Sequence, residues 1–435
     1  MLPDEMIERD ADITIIGAGA AGLMAAIAAG RTARSRGASL RILALDSAKK
    51  IGAKILVSGG GRCNVTHDTV DETAFAGSSP NAIKKVLRRF GVPESVAFFR
   101  EIGVHLKREE TGKLFPTTDR AATVLDALLH AARQAGVEFI HPARVTAIER
   151  IDAAPDSDAA SAPQFKLIAD DALITTRRLI LATGGKSLPK TGSDGHGYQL
   201  ARSLGHSITP RVLPALVPLV LDQKCFIRAL SGLTLSTTLE LRSGTGKRLI
   251  AFTNSTLCTH FGLSGPGVLD ISRHYLNTVL DDPAAALFIN WLPGETPESL
   301  DAAIQNFAQH HGRAGIARVF AERLPQRLVK AICEHAGVDP AMPASGLSRV
   351  ARKALVAAVT NLKLPVVGDR GFAVAEVTAG GVPLREIRLE TMESRVCPGL
   401  YLCGEICDVD GRIGGFNFQW AWAGGQLAGA AAAAP

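Results

Sequence analysis

Residues 12–46 read DITIIGAGAAGLMAAIAAGRTARSRGASLRILALD. A β-branched run, DITII, leads into a glycine turn. An alanine-rich stretch follows and is halted at Gly37, and a second apolar run, LRILAL, ends in Asp46. Periodicity and breakers predict strand, helix, strand. Two strands joined by one helix lie parallel, with a right-handed crossover. The turn itself, Gly17-Ala18-Gly19-Ala20-Ala21-Gly22, is a GxGxxG. With 43 glycines in 435 residues that bare string is expected about 0.4 times by chance. Its setting, after a strand, opening a helix and followed by an acid at the end of the next strand, makes it a dinucleotide fingerprint. Gly17 permits the tight turn, Gly19 admits a pyrophosphate to the backbone, and Gly22 lets helix and strand pack closely. Ala20 and Ala21 open the helix whose N-terminus faces the anion, and Asp46 takes the ribose hydroxyls.

The composition around this unit is that of a globular chain, 46% hydrophobic and 21% charged. Disorder and collagen-like repeats are excluded. Forty-eight Lys and Arg against 42 Asp and Glu leave +6, spread along the chain, so no nucleic-acid partner is expected from charge. Seven cysteines, with no CxxC, fit a reduced interior, and the expected compartment is the cytoplasm. Residues 13–30 and 413–435 are uncharged. The first follows an acidic opening, MLPDEMIERD, and the second holds Asn417, Gln419, Gln426 and five glycines, so no membrane span is expected.

Beyond Asp46 three successive strands, RVTAIERI, FKLIAD and LITTRRLILATGG, form an antiparallel patch, with a low-complexity, solvated loop at residues 152–163. An NAD dehydrogenase would continue with further parallel units, so the patch points to a flavoprotein. The texture changes near residue 191. Strand-like alternation over 212–253 gives way to helical periodicity over 297–360, and glycine-rich turns, a strand and a helix return after 370. A second unit is therefore inserted into the first.

Three further segments carry chemistry. In SGGGRCN, Gly59, Gly60 and Gly61 let a loop lie flat on a ring or phosphate, with Ser58, Arg62 and Asn64 supplying hydrogen bonds and Arg62 charge for a pyrophosphate. Cys63 is a candidate redox residue, although a lone cysteine more often fills apolar space. In GRIGGFNFQWAWAGG a helix opens near Gly415, Phe416 and Asn417, and its N-terminal dipole would suit the flavin N1 and O2. Trp420 and Trp422 read as packing. The loop Thr378–Val382 can approach the ring closely. His260 and His196 lie in glycine-rich loops as candidate proton carriers. No metal-ligand spacing and no GxSxG occur, so neither a metal site nor serine hydrolysis is expected.

LATGG (Leu181–Gly185) and GLYLCGE (Gly399–Glu405) resemble the second and third FAD fingerprints of glutathione-reductase-like flavoproteins. With KILVSGGGRCNVTH, THFGLSGPGVLDIS, AEVTAGGVPLREI and GEICDVDGRIGGFNFQWAWAGGQLAG, the chain resembles the BaiN-like, or aminoacetone-oxidase, family of bacterial FAD-binding flavoproteins. That resemblance implies an α/β fold, a Rossmann-type FAD-binding domain interrupted by a β-barrel and a helical part. The expected boundaries are 1–190 and 365–435 for the FAD domain and 191–364 for the insert, with the barrel at 205–295 and helices at 296–364. It implies FAD contacts at Lys54, Cys63, Val145, Thr183, Gly184, Gly404 and Phe418, with Glu405 on the ribityl chain. Catalytic candidates are His260, Thr378 and Cys63. Asp46 stands where Glu is usual, Ala53 for Arg, and His67 for Asn.

The expected activity is an FAD-dependent oxidoreductase passing a hydride at flavin N5 to or from a small organic substrate, with NAD(P)H or oxygen as a possible second substrate. Two alternatives stay open at this level: a flavoenzyme that modifies RNA, and a flavin-binding regulator without turnover.

Overall fold

The computed structural model describes residues 7–151, 165–170 and 172–435. The low-complexity loop expected at 152–163 lies outside the described residues. The chain divides into two compact units, Met1–Pro214 with Glu376–Pro435, and Ala215–Ala375.

The first unit is built on a parallel sheet. Its strands run in the order Leu400–Leu402, Ala172–Leu181, Ile7–Ile16, Ile42–Leu45 and Val137–Ile140. Ile7–Ile16 pairs along its whole length with Ala172–Leu181, Ile16 opposite Leu181. The GxGxxG turn and the Ala182–Gly185 turn therefore leave the sheet side by side at its carboxyl end, where open α/β sheets bind ligands. Val145–Arg150 and Phe165–Ala169 attach antiparallel to the first half of Ala172–Leu181, as the sequence patch indicated. The first strand starts five residues before the expected Asp12. Its polar opening, IERDA, hides it from pattern reading, yet Ile7–Ala11 pair with Ala172–Thr176.

Both uncharged stretches feed interior helices of this unit, the first through the end of strand Ile7–Ile16 and the glycine turn. Ala20–Ser35 is buried on nearly every side, and Phe416–Ala432 packs backbone to backbone against it. A Cβ on Gly425 would lie 2.4 Å from the Ala21 carbonyl oxygen, and one on Gly429 only 2.0 Å from that of Ala25. Glycine spaced by one helical turn is what allows this approach. No helix among the described residues is long and apolar enough to cross a membrane.

The second unit has a seven-stranded antiparallel sheet, in the order Leu362–Lys363, Ala286–Asn290, Thr234–Arg242, Arg248–Thr259, Gly262–Ser264, Leu219–Leu221 and Val366–Asp369. The two outermost strands are separated in sequence only by Leu364 and Pro365, so the sheet curls until its edges approach each other. Helices Pro297–His310, Gln326–His335 and Arg349–Thr360 share its apolar core, with Trp291, Leu300 and Leu355 at its centre. The insert is shifted relative to the expected 191–364. Helix His196–Ser203 gives Tyr198, Leu200 and Ala201 to the core of the first unit, and Val366–Asp369 pairs with Leu219–Leu221, so the second unit runs from Ala215 to Ala375.

Candidate functional site

The three glycines of the first turn have separate roles. Gly17 has φ +97°, and a Cβ there would meet the Ala182 oxygen at 2.4 Å. A Cβ on Gly22 would lie 1.8 Å from the Gly17 oxygen. Gly19 faces open space, with nothing within 4 Å of its Cβ position. The first helical bond runs from Leu23 N to Gly19 O, so the N–H groups of Ala20, Ala21 and Gly22 have no intrahelical acceptor. An open backbone face at a helix N-terminus is a phosphate cradle.

Asp46 stands beside this cradle. Its Oδ2 accepts from Ala18 N at 2.7 Å and its Oδ1 from Ala48 N at 2.8 Å. Burial raises its pKa, with these backbone donors opposing. Each oxygen keeps a second lone pair for a ribose hydroxyl. The loop at Gly192 closes against it, a Cβ on Gly192 lying 3.9 Å from Asp46 Oδ1. Nearby, Val145 O is engaged by His196 Nε2 at 3.0 Å, and Arg144 pairs with Asp194 at 2.8 Å. The other His196 ring nitrogen lies 3.2 Å from Gln199 Oε1, which makes His196 a loop clamp. Thr183 Oγ1 and Ser193 Oγ are buried without a partner among the described residues. They lie against Gly197 and Gly184, where added Cβ atoms would come within 1.9 and 2.6 Å of them. Unpaired buried hydroxyls beside an open cradle suit a ligand rich in hydroxyl and amine groups.

A second cluster gathers the other fingerprints. Lys54 Nζ donates to Glu405 Oε2 and to Ser187 Oγ, each at 2.6 Å. Glu405 Oε1 accepts from Ser187 Oγ at 2.7 Å and from Thr378 N at 2.9 Å. Three donors on one carboxylate leave about one acceptor position of its four, room for a single sugar-alcohol hydroxyl. Gly185 fits where a Cβ would sit 2.4 Å from Thr378 Oγ1, and Gly404 O accepts the Trp420 indole N–H at 3.1 Å. Thr378 is completely buried, its Oγ1 accepting from the N–H groups of Lys186 and Ser187. It is a clamp between two loops, which corrects its reading as a catalytic candidate.

In the SGGGRCN loop three side chains are held within the protein itself. Arg62 lies 4.0 Å over the Phe115 ring and 2.6 Å from Glu109 Oε1, so its charge is already matched by protein. Ser58 Oγ donates to Ile55 O at 2.7 Å, bracing the helix kink at residues 58–60. Cys63 is fully buried, and burial pushes its thiol up to about 12, so it keeps its proton at neutral pH and fills space. Gly60 faces open space, while Asn64 presents a buried Oδ1 with no partner among the described residues.

At the C-terminal helix, Gly415 has φ +95°, and a Cβ there would strike the Thr66 carbonyl carbon at 2.6 Å. Asn417 was expected to face a ligand. Its amide instead closes its own turn, Oδ1 accepting from Gly411 N at 2.8 Å and Nδ2 donating to Gly411 O at 2.9 Å. Phe418 stacks on Trp422 with ring centroids 5.3 Å apart, and His67 on Phe416 at 5.0 Å. Trp422 donates its indole N–H to Val65 O at 2.8 Å, which makes both tryptophans packing residues, as read. His260 sits exposed at the tip of the hairpin between Arg248–Thr259 and Gly262–Ser264, its ring edge-on to Phe261. No group of metal ligands occurs among the described residues.

Comparison with known proteins converges on this geometry. The profile of the HI0933-like protein Rossmann domain matches residues 11–431. The chain belongs to the HI0933-like family. One HI0933-like relative, the 3-dehydro-bile acid delta(4,6)-reductase of Clostridium scindens, is 36% identical over 97% of this chain and 98% of its own. The ribosomal RNA dihydrouridine synthases of Escherichia coli and Haemophilus influenzae are 32% and 33% identical, each over 94% of this chain and 95% of their own. The fold is also that of the 3-ketosteroid delta1-dehydrogenase of Sterolibacterium denitrificans, with TM-score 0.51 and 12% identity over 98% of this chain and 99% of that one. This HI0933-like chain is an FAD-dependent oxidoreductase. The open face at Gly19, the partnerless Thr183 and Ser193 and the single free position on Glu405 fit that cofactor.

Proposed function

We propose that this HI0933-like protein reduces a carbon–carbon double bond conjugated to a carbonyl. What supports this reading is the chemistry shared by the relatives' names. A 3-dehydro-delta(4,6) ring system and the uracil ring of uridine both carry a double bond polarised by a neighbouring carbonyl, and both products gain two hydrogens. When bound and already reduced, for instance by a nicotinamide, FAD would supply one hydrogen as a hydride, and the second would arrive as a proton.

The residues of the first unit support a location for that chemistry. The Gly19 turn and the start of Ala20–Ser35 would hold the diphosphate, Asp46 the ribose, and Glu405 a ribityl hydroxyl. Lys54 and the Thr378 backbone N–H keep the Glu405 carboxylate in place. The start of the C-terminal helix, capped by Gly415, would offer N–H groups to the negative charge a reduced ring gathers.

A free small molecule is the substrate form favoured by the bile acid relative, which this chain matches over 97% of its length. The two relatives named for ribosomal RNA favour a second form, a uracil within RNA. The test starts from protein reduced with dithionite without oxygen. A 3-oxo-delta(4) steroid acid, its saturated counterpart, and ribosomal RNA are added separately. Flavin absorbance should return with one of the conjugated substrates and not with the saturated acid. Return with the saturated acid, or with neither conjugated substrate, would overturn the reading.

A further inference from the structure

We propose that Asn64 reads the pyrimidine edge of the flavin ring, its Oδ1 accepting the ring N3–H. Asn64 is 8% exposed, and its Oδ1 has no hydrogen-bond partner among the described residues. A buried amide oxygen left unpaired is costly, so the loop is shaped for a donor that arrives with a ligand. The oxidised flavin ring carries one N–H, at N3, and its other ring heteroatoms only accept.

The surroundings suit a flat ring. Gly59, Gly60 and Gly61 have φ of +55°, +68° and +84°, Gly60 meets nothing within 4 Å, and the nearest atom to a Cβ on Gly61 is 3.9 Å away. Three residues without side chains in a left-handed run present a bare backbone surface to an incoming plane. Asn64 is anchored behind it. A Cβ on Gly59 would stand 3.0 Å from Asn64 N and 3.1 Å from the Phe115 ring, and Val65 N donates to Leu114 O at 2.9 Å. The amide therefore projects from a fixed backbone.

The inference rests on FAD being the cofactor and on Glu405 marking the ribityl chain. The helix Ala53–Gly61 begins with Lys54 on Glu405 and ends in the glycine run. At about 1.5 Å of rise per residue, Ser58 lies about 6 Å beyond Lys54. A ring following a ribityl chain held at Glu405 would meet the glycine run if it extended along this helix.

The experiment strips the full-length protein of flavin and measures its dissociation constants for FAD and for N3-methyl-FAD by fluorescence quenching. The methyl group removes the one donor and leaves the ribityl and adenosine halves intact. Wild type should bind N3-methyl-FAD about tenfold or more weakly than FAD, the size of one buried hydrogen bond. Asn64→Ala should bind both flavins alike. Equal affinity of wild type for the two flavins would overturn the proposal without any variant, as would discrimination that persists in Asn64→Ala. Binding of neither flavin by wild type would instead overturn the cofactor reading itself.

Discussion

Lys54 Nζ lies 2.6 Å from Glu405 Oε2, joining two residues 351 positions apart in sequence. The pair is partly buried, with side chains 28% and 18% exposed. Removing one partner leaves a half-buried charge uncompensated, a loss of about 1 to 3 kcal/mol after allowing for solvent screening. Lys54→Met should therefore weaken FAD binding by about tenfold to a hundredfold. Lys54→Met with Glu405→Gln should lose less than the sum of the single changes. Titration of all three stripped variants with FAD checks this, and strict additivity would show that the two side chains act separately.

Gly19 and Gly22 should separate cofactor binding from folding. Gly19→Asp adds a side chain into open space at an ordinary φ of −79°, so the variant should fold and be colourless, because the carboxylate occupies the diphosphate position. Gly22→Ala places a methyl 1.8 Å from a backbone oxygen and should lower stability by at least about 1 to 3 kcal/mol. Thermal melts and bound-flavin absorbance distinguish them. A yellow Gly19→Asp protein with full FAD content would remove the cradle from the account.

Cys63 should be dispensable for chemistry. Its thiol, pushed up to about 12 by burial, is inert to alkylation in the folded protein. Cys63→Ala should retain turnover within about threefold while losing about one to two degrees of melting temperature to the small cavity. Loss of turnover with FAD still bound would return Cys63 to the catalytic list.

A buried chain in the first unit should set the acid limit of stability. His206 lies 2.9 Å from Glu386 Oε2 through Nδ1 and 2.7 Å from Ser394 Oγ through Nε2. Ser394 Oγ already accepts from Val396 N and Cys397 N, so its proton goes to Nε2, and Nδ1–H donates to Glu386. Burial would raise the Glu386 carboxyl, but the hydrogen bonds from Ser207 and His206 outweigh it, and the net shift is downward. A depressed folded value means a stability contribution that is full above the ordinary glutamate pKa of about 4.3 and is lost as pH falls through the lower folded value. Glu386→Gln should flatten that part of the acid unfolding curve. His206→Ala should cost about 2 to 4 kcal/mol at neutral pH by stranding Ser394 and Glu386.

Local rules made the first turn legible. Gly17 and Gly22 are required by φ and by close backbone approach, and such demands leave a mark in a short window of sequence. The inserted unit was visible in its change of periodicity, but its start was not, because helix His196–Ser203 carries no sign of which core receives Tyr198 and Leu200. The contents of the site were least legible where partners are distant. Nothing near Arg62 announces that Glu109 will take its charge, and nothing near Asn417 shows that its amide will fold back on Gly411. Ser187 was the residue the sequence could have offered, since it directly follows LATGG and Lys186, yet its role depends on Lys54 and Glu405 arriving from elsewhere in the chain.

Reduced FAD in this protein is proposed to hand its electrons to a conjugated double bond. The most direct measurement is a single turnover without oxygen, in which protein with fully reduced flavin meets the conjugated substrate that reoxidises it and the product is weighed by mass spectrometry. One molecule of product, heavier by two hydrogens, is expected for each flavin reoxidised. Flavin that stays reduced with every conjugated substrate, or reoxidises while the substrate is recovered unchanged, would contradict it.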